Sequence, residues 1–232
     1  MHILAIIPAR GGSKGIHRKN LRLIGNTSLL ERAIRSAQNS SSISDVLVST
    51  EDQEILENAL SLGATVPFLR PDHLANDTAH TIPVITHSIE SYIHFSKIKP
   101  DIIVLLEPTS PFRTHEQVTL AVNRYLQGDC SSVVTVCPLE RKPQNIFLKS
   151  SDGILNKYIQ SPDENFQRRQ DMTHLCRLTS SIYVVGCDHF LASRRLIVSP
   201  TAYIEVDPLT SINIDDELDL ILARTVSEVH GL

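Results

Sequence analysis

The chain has 232 residues, of which 41% are hydrophobic and 21% are charged, and its formal net charge at pH 7 is −4. A chain of this length and hydrophobic content can bury a large core, either in one α/β domain with an excursion or in two small domains, and we predict the single domain. The small negative charge gives no sign of a nucleic-acid or membrane surface, so the expected ligand is a small molecule.

The N-terminus and the cysteines indicate the cellular compartment. The chain enters an apolar strand without the basic and long apolar regions of a signal peptide, and no apolar stretch approaches the ~18 residues of a membrane span. The four cysteines have no Cys-x-x-Cys spacing, which argues against a disulfide scaffold or a zinc site. They are Cys130, Cys137, Cys176 and Cys187. We therefore predict a cytoplasmic protein with free thiols in or near its core.

A glycine-rich basic loop follows the first strand, which covers residues 3–7 and ends at Pro8. Glycines allow backbone N–H groups to approach an anion closely, and clustered cations attract one. The glycines are Gly11, Gly12 and Gly15, and the cations are Arg10, Lys14, Arg18 and Lys19. Neither a P-loop nor a dinucleotide fingerprint is present. The loop predicts a polyphosphate cradle; a basic, solvated surface turn is the alternative.

Apolar strands and amphipathic helices alternate along the rest of the chain. Strands are predicted at residues 46–50, 65–69, 101–106, 131–137, 181–185 and 203–206, and helices after capping boxes at 28–31, 50–53 and 114–117, at 82–95 and at 215–229. This order predicts a doubly wound, mostly parallel Rossmann-like sheet. Ligands of such sheets bind beyond the carboxyl ends of the strands, where the segments that begin at Arg10, Arg70 and Glu107 should converge.

One region departs from this alternation. Residues 138–178 are polar with short apolar pieces, which predicts an insertion or an arm rather than part of the central sheet.

Five stretches, in order and over nearly the whole chain, resemble the motifs of one family. They are Ala9-Arg-Gly-Gly-Ser-Lys-Gly15, Arg70-Pro-x-x-Leu-Ala-x-Asp-Thr-Ala79, Leu106-Glu-Pro-Thr-Ser-Pro-Phe-Arg113, Arg169-Gln170 with Arg177, and Ser211-Ile-Asn-Ile-Asp-Asp-Glu-Leu-Asp219. The chain thereby resembles the acylneuraminate cytidylyltransferases, which comprise the CMP-sialic acid synthetases and relatives that act on other nonulosonic acids.

The resemblance implies the reaction and its residues. CTP and an acidic nonulosonic sugar would be the substrates, Mg²⁺ the cofactor, and the region 138–178 a dimerisation arm of a homodimer. The implied nucleotide-binding residues are Ala9, Arg10, Gly11, Gly12, Ser13, Lys14, Asn20, Arg70, Ala79 and Thr81. The implied sugar-binding residues are Glu107, Thr109, Ser110, Arg113, Arg169, Gln170 and Arg177. The implied catalytic residues are Arg10, Lys14, Lys19 and Asp215, with the metal held by Asp215 and Asn213.

Each assignment has a simpler interpretation. Asp215 begins the predicted last helix, where an acidic side chain caps free N–H groups. Arg70 and Arg113 can belong to ordinary loops, and Arg169 and Arg177 can be solvated charges.

The chain also departs from the family pattern in its sugar-binding and metal-binding motifs. Glu107 stands where the family usually has Gln, Asn213 replaces one metal-binding aspartate, and Thr179-Ser180 replace Asn-Gly. Two alternatives therefore stay open: a cytidylyltransferase for the eight-carbon acid Kdo, and an inactive relative that binds nucleotide.

Overall fold

The computed structural model describes residues 1–13, 15–76, 79–139, 145–158 and 175–232. The strands are β1 (Ile3–Pro8), β2 (Leu23–Ile24), β3 (Thr27–Ser28), β4 (Asp45–Ser49), β5 (Ile102–Leu106), β6 (Ser132–Pro138), β7 (Phe147–Lys149), β8 (Leu155–Lys157), β9 (Cys176–Gly186) and β10 (Thr201–Glu205). The helices are α1 (Leu29–Gln38), α2 (Gln53–Ser61), α3 (Thr81–Ser96), α4 (His115–Leu126), α5 (Cys187–Ser193) and α6 (Glu217–His230). No helix in these ranges has the length and apolar character needed to cross a membrane.

Six strands form the central sheet in the order β10-β6-β9-β5-β1-β4. β1 lies parallel to β4 and β5, and β10 lies parallel to β6. β9 is inserted between β5 and β6 and runs antiparallel to both. The sheet is thus mixed but mostly parallel, as the alternation of strands and helices predicted.

Helices cover both faces of this sheet, because its central strands are apolar on both faces. Alternate residues of β1 enter the two cores, with Ile7 on one side and Ile6 on the other. α1, α2 and α4 pack on the first face, where Ile34 is fully buried. α3 and α5 pack on the second face through Tyr92 and Phe190. The doubly wound arrangement is therefore confirmed.

A third, smaller core joins the two ends of the chain. Ile16 and Ile24, from the segment after β1, are buried with Ile214 and with Leu220 of α6. This packing brings the glycine-rich loop against the segment that leads into α6.

Two helix caps differ from the sequence prediction. The predicted cap of α2 at residues 50–53 is wrong, because Thr50 is fully buried at the end of β4 and Asp52 is the N-cap, accepting a bond of 3.0 Å from the Ile55 N–H. The last helix begins after Asp216, whose carboxylate accepts from the N–H groups of residues 218 and 219, and not at Asp215. Asp215 therefore has no capping role in this structure. The caps predicted at Ser28 and Thr114 are confirmed.

Two strand predictions also differ. The strand predicted at 65–69 is wrong, because only Thr65 bridges to Leu47 before Pro67, which lacks an N–H, takes the chain away from the sheet. β9 is longer than predicted, because its first residues pair with the end of β6 across a bulge.

The excursion contains an antiparallel hairpin of β7 and β8. Its apolar side chains are exposed, namely Ile146, Phe147, Leu148, Ile154, Leu155 and Tyr158. Residues 140–144 and 159–174 of the predicted arm, with Arg169 and Gln170, lie outside the described residues, and so does Lys14 of the basic loop.

Candidate active site

A cavity of about 470 Å³ lies at the carboxyl ends of β1 and β5. The segments that begin at Arg10, Arg70 and Glu107 all line it, so the convergence predicted from the sequence is observed. Eleven of the predicted site residues line this cavity, namely Arg10, Ser13, Lys19, Asn20, Arg70, Ala79, Thr81, Glu107, Thr109, Asn213 and Asp215. The cavity is thus built by loops that the sheet topology gathers at one edge.

Glycines in the basic loop allow close packing. The Gly11 N–H donates to Glu51 Oε1 at 2.7 Å, and a Cβ on Gly11 would lie 2.4 Å from Asp52 Oδ2. A Cβ on Gly15 would lie 2.3 Å from the carbonyl oxygen of Asp215. From the sequence we expected the backbone N–H groups of these glycines to be available to an anion. In the structure the Gly11 N–H instead donates to the Glu51 carboxylate. Ala9, Gly11 and Gly12 do not line the cavity.

The cations of this loop face different partners. The Arg18 guanidinium pairs with Asp52 at 2.9 Å and with Glu54 at 2.8 Å, toward α2. Lys19 turns the other way, donating to the Ile214 carbonyl at 2.9 Å with its ammonium 3.6 Å from Asp215 Oδ1. Lys19 therefore lines the cavity and fixes the C-terminal segment beside the loop.

Asn20 and Arg70 are fixed by bonds to the backbone. Asn20 Nδ2 donates to the Arg10 carbonyl at 2.9 Å. The buried Arg70 guanidinium donates to the hydroxyl and the carbonyl of Ser49, and its backbone N–H donates to Thr50 at 2.7 Å. Burial lowers the pKa of Arg70, and attraction to Glu51 partly opposes this effect. Arg70 is a fixed wall of the cavity and not a solvated loop residue.

Glu107 lines the cavity and directly follows β5. Burial raises the pKa of its carboxyl group to about 7, although the positive charges of Arg113, Lys19 and Arg70 act in the opposite direction. The negative charge of Asp215 adds to the increase. Near neutral pH this side chain can therefore hold or release a proton.

Arg113 holds the loop after β5 through hydrogen bonds to backbone carbonyls. Its Nη1 donates to the carbonyls of Glu107 at 2.9 Å and Ser181 at 3.0 Å, and its Nε donates to Ser36 Oγ at 3.1 Å. Burial lowers its pKa to about 10. The resemblance assigned a sugar contact to Arg113, but the structure places it outside the cavity lining because its guanidinium is directed to these carbonyls.

Two further sugar-side candidates also lie outside the cavity lining. Ser110 is buried, with its N–H 3.3 Å from the Glu107 carbonyl. The guanidinium of Arg177, near the start of β9, donates to Ser211 Oγ at 2.9 Å. In this conformation both residues shape the loops around the site rather than its surface.

Asn213 and Asp215 form the predicted metal pair. Asn213 Nδ2 donates to Asp215 Oδ2 at 2.8 Å, which directs Asn213 Oδ1 away from the carboxylate. That amide oxygen is buried and has no hydrogen-bond partner within the described ranges. The same ranges contain no cluster of three or more His, Cys, Asp or Glu side chains that could hold a metal. The pair offers two hard oxygen donors, one of them unpaired, and suits a cation that keeps water or substrate oxygens as further ligands.

One wall of the cavity was not predicted from the sequence. Ser180 and Tyr183 of β9 line the cavity with Leu196. Ser180 has a φ of 56°, a left-handed conformation that favours glycine, and it lies in the bulge where β9 slips against β6. Thr179 Oγ1 and Thr135 Oγ1, 2.6 Å apart, hold this bulge. The only sequence signal was the departure from Asn-Gly at residues 179 and 180, since an antiparallel strand entering the site gives no motif.

A doubly wound sheet with a basic glycine loop after its first strand, and a cation-lined cavity at its carboxyl edge, has the features of a nucleotide-binding α/β protein. Residues 4–186 match the family model described as cytidylyltransferase. The chain belongs to this cytidylyltransferase family, and the resemblance found in its sequence is confirmed.

Sequence similarity to named proteins covers nearly the whole chain. The chain is 31% identical over 230 residues to the post-translational flagellin modification protein B of Campylobacter coli, covering 99% of this chain and 97% of that protein. It is 32% identical over 233 residues to a CMP-N,N'-diacetyllegionaminic acid synthase of Legionella pneumophila, covering 99% and 98%. A solved CMP:2-keto-3-deoxy-manno-octonic acid synthetase complexed with CTP has a TM-score of 0.71 at 15% identity, with full coverage of both chains. This last likeness concerns the fold alone.

Proposed function

We propose that the protein transfers CMP from CTP to the anomeric hydroxyl of a nonulosonic acid and releases pyrophosphate. The observation that carries this proposal is the joining of Arg10, Lys19 and Arg70 with the Asn213–Asp215 pair around one cavity. Arg10 and Lys19 suit the phosphates of CTP, and the oxygen pair suits a divalent ion bound to those phosphates. The CMP-N,N'-diacetyllegionaminic acid synthase at 32% identity supports an acidic nine-carbon sugar as the acceptor.

The chemistry needs alignment and charge neutralisation more than covalent assistance. The anomeric oxygen attacks the α-phosphorus, the bond from this phosphorus to the bridging oxygen of pyrophosphate breaks, and the anomeric proton passes to base or solvent. Arg10 and Lys19 would neutralise charge on the triphosphate. The sequence motif assigns the same role to Lys14. Asn20, Arg70, Ala79 and Thr81 would bind the cytidine side of the nucleotide.

Mg²⁺ is the cofactor that we propose for this site. The unpaired Asn213 Oδ1 and the carboxylate of Asp215 fit a hard cation that retains several waters. When bound, the ion would reduce the negative charge of the phosphates. Asn213 supplies one negative charge fewer than an aspartate would, so we expect weaker metal binding than from a pair of carboxylates.

Glu107, Thr109, Ser180 and Tyr183 would form the sugar side of the cavity. An ionised Glu107 would repel the carboxylate of a sugar acid, whereas its protonated form can donate a hydrogen bond as an amide does. The pKa of about 7 makes the protonated form accessible near neutral pH.

The direct test is pyrophosphate release from CTP and Mg²⁺ with a panel of legionaminic, pseudaminic and sialic acids and Kdo. Turnover with one or more nine-carbon acids and little with Kdo is expected. Preference for Kdo would favour the eight-carbon alternative, and CTP binding without turnover on any acid would favour an inactive relative.

We also propose that the β7–β8 hairpin and its flanking segments pair two subunits in the cytoplasm. The support is the row of exposed apolar side chains on this hairpin, a kind of surface that marks interaction sites. Light scattering at micromolar concentration should give a dimer. The double substitution Phe147→Ser and Leu148→Ser should give a folded monomer, whereas a dimer of unchanged stability would place the interface elsewhere.

A further inference from the structure

The end of β4 and the turn that follows it, residues 49–52, make polar contacts to the basic loop and to the segment at Arg70. The Ser49 carbonyl accepts from the Ala9 N–H at 2.9 Å, and the Ser49 hydroxyl accepts from Arg70 Nε at 3.1 Å. The Glu51 carboxylate accepts from the Gly11 N–H at 2.7 Å. The sequence pattern treated this turn only as a strand end and a cap. In the structure it joins the basic loop to the segment at Arg70.

Glu51 is the member of this turn whose side chain reaches the glycine loop. One carboxylate oxygen binds the Gly11 amide, and the other is buried without a hydrogen-bond partner among the described residues. Charge attraction also links Glu51 to the buried Arg70, where it opposes the effect of burial on the guanidinium. A single carboxylate therefore acts on the basic loop and on the segment at Arg70.

Close packing around Gly11 supports a structural role for its hydrogen bond to Glu51. The Asp52 carboxylate lies so close to Gly11 Cα that no Cβ can be added without displacing one of them. Gly11 is thus pressed against residues 51 and 52, with its amide directed at Glu51 and not into the cavity.

We propose that Glu51 is a positioning residue that holds the basic loop in its substrate-binding conformation through the Gly11 amide. Glu51 does not line the cavity, so its effect on CTP would pass through the loop. The role in CTP binding rests on the proposed function, whereas the ordering of the loop does not.

Three variants test this inference. Glu51→Ala removes the acceptor, Glu51→Gln keeps an acceptor oxygen and removes the charge, and Glu57→Gln on the exposed side of α2 is the control. Hydrogen exchange of the peptide that contains residues 9–18, without nucleotide, reports the loop. Calorimetric titration with CTP and Mg²⁺ reports binding, and thermal melting reports folding.

We expect faster exchange of this peptide in Glu51→Ala and a CTP affinity lower by about tenfold, the order of a lost hydrogen bond to a charged group. Glu51→Gln should keep most of both properties, and Glu57→Gln should match the parent. Unchanged exchange in Glu51→Ala would overturn the inference, as would equal or tighter CTP binding. Equal affinity losses in the Ala and Gln variants would also overturn it, because charge and not the Gly11 bond would then matter. A parent that binds no CTP would instead overturn the proposed function, while the exchange result would stand.

Discussion

The substitution Glu107→Gln should stabilise the protein more at high pH than at low pH. The quantity compared is the unfolding free energy of the variant minus that of the parent. Burial raises the pKa of Glu107 from 4.5 to about 7 in the folded protein. A carboxyl group whose folded pKa is raised binds its proton more tightly in the folded state, so its ionisation costs stability as the pH rises from 4.5 through 7. The full difference corresponds to about 3 kcal/mol, of which about 2.5 kcal/mol is lost between pH 5 and pH 8.

The assay is urea unfolding of both proteins at several pH values between 5 and 8, without nucleotide. Glutamine is neutral throughout, so the stability of Glu107→Gln minus that of the parent should grow by about 2.5 kcal/mol over this range. Glu228→Gln, on the exposed surface of α6, controls for removing one acidic group. A difference that stays constant with pH would refute the raised pKa of Glu107. A difference that shrinks would show that the nearby arginines and Lys19 outweigh burial.

Three further substitutions test other parts of the site. Gly15→Ala should cost about 1–3 kcal/mol in unfolding free energy, because its Cβ would meet the Asp215 carbonyl, whereas Gly12→Ala, whose Cβ would have no atom within 4 Å, should melt like the parent. If Asn213 is a metal ligand, Asn213→Asp should lower the Mg²⁺ concentration for half-maximal rate, and an unchanged Mg²⁺ titration would contradict this role. Lys14→Ala should keep its circular dichroism spectrum and lose about 100-fold in CTP turnover, and unchanged turnover would remove Lys14 from the site.

The fold was largely predictable because its signals are local. Apolar runs such as β5 and the capping box at Thr114 fix an element from a few neighbouring residues, and their order then fixes the sheet class. The errors arose where two local signals compete. Thr50 and Asp52 are both good caps, and only the burial of Thr50 against the sheet decides between them.

Part of the cavity lining was predictable from the sequence, and its geometry was less so. Motif resemblance placed Arg10, Arg70 and Glu107 together, and the cavity contains all three. It could not show that Arg113 turns toward Ser36 and Ser181, because a side chain's direction depends on packing across distant segments. Nor could it indicate the φ of 56° at residue 180, which follows from the slip of β9 against β6.

The contact between Lys19 and Ile214 has a consequence for protein synthesis, since 195 positions separate the two residues in the chain. During translation the basic loop leaves the ribosome well before the segment with Asn213 and Asp215. A nascent chain that ends at residue 186, where the match to the family model stops, has the basic loop and most of the sheet but lacks both oxygen donors. A product truncated at residue 186 would therefore have an incomplete cavity, without the edge that Asn213 and Asp215 form.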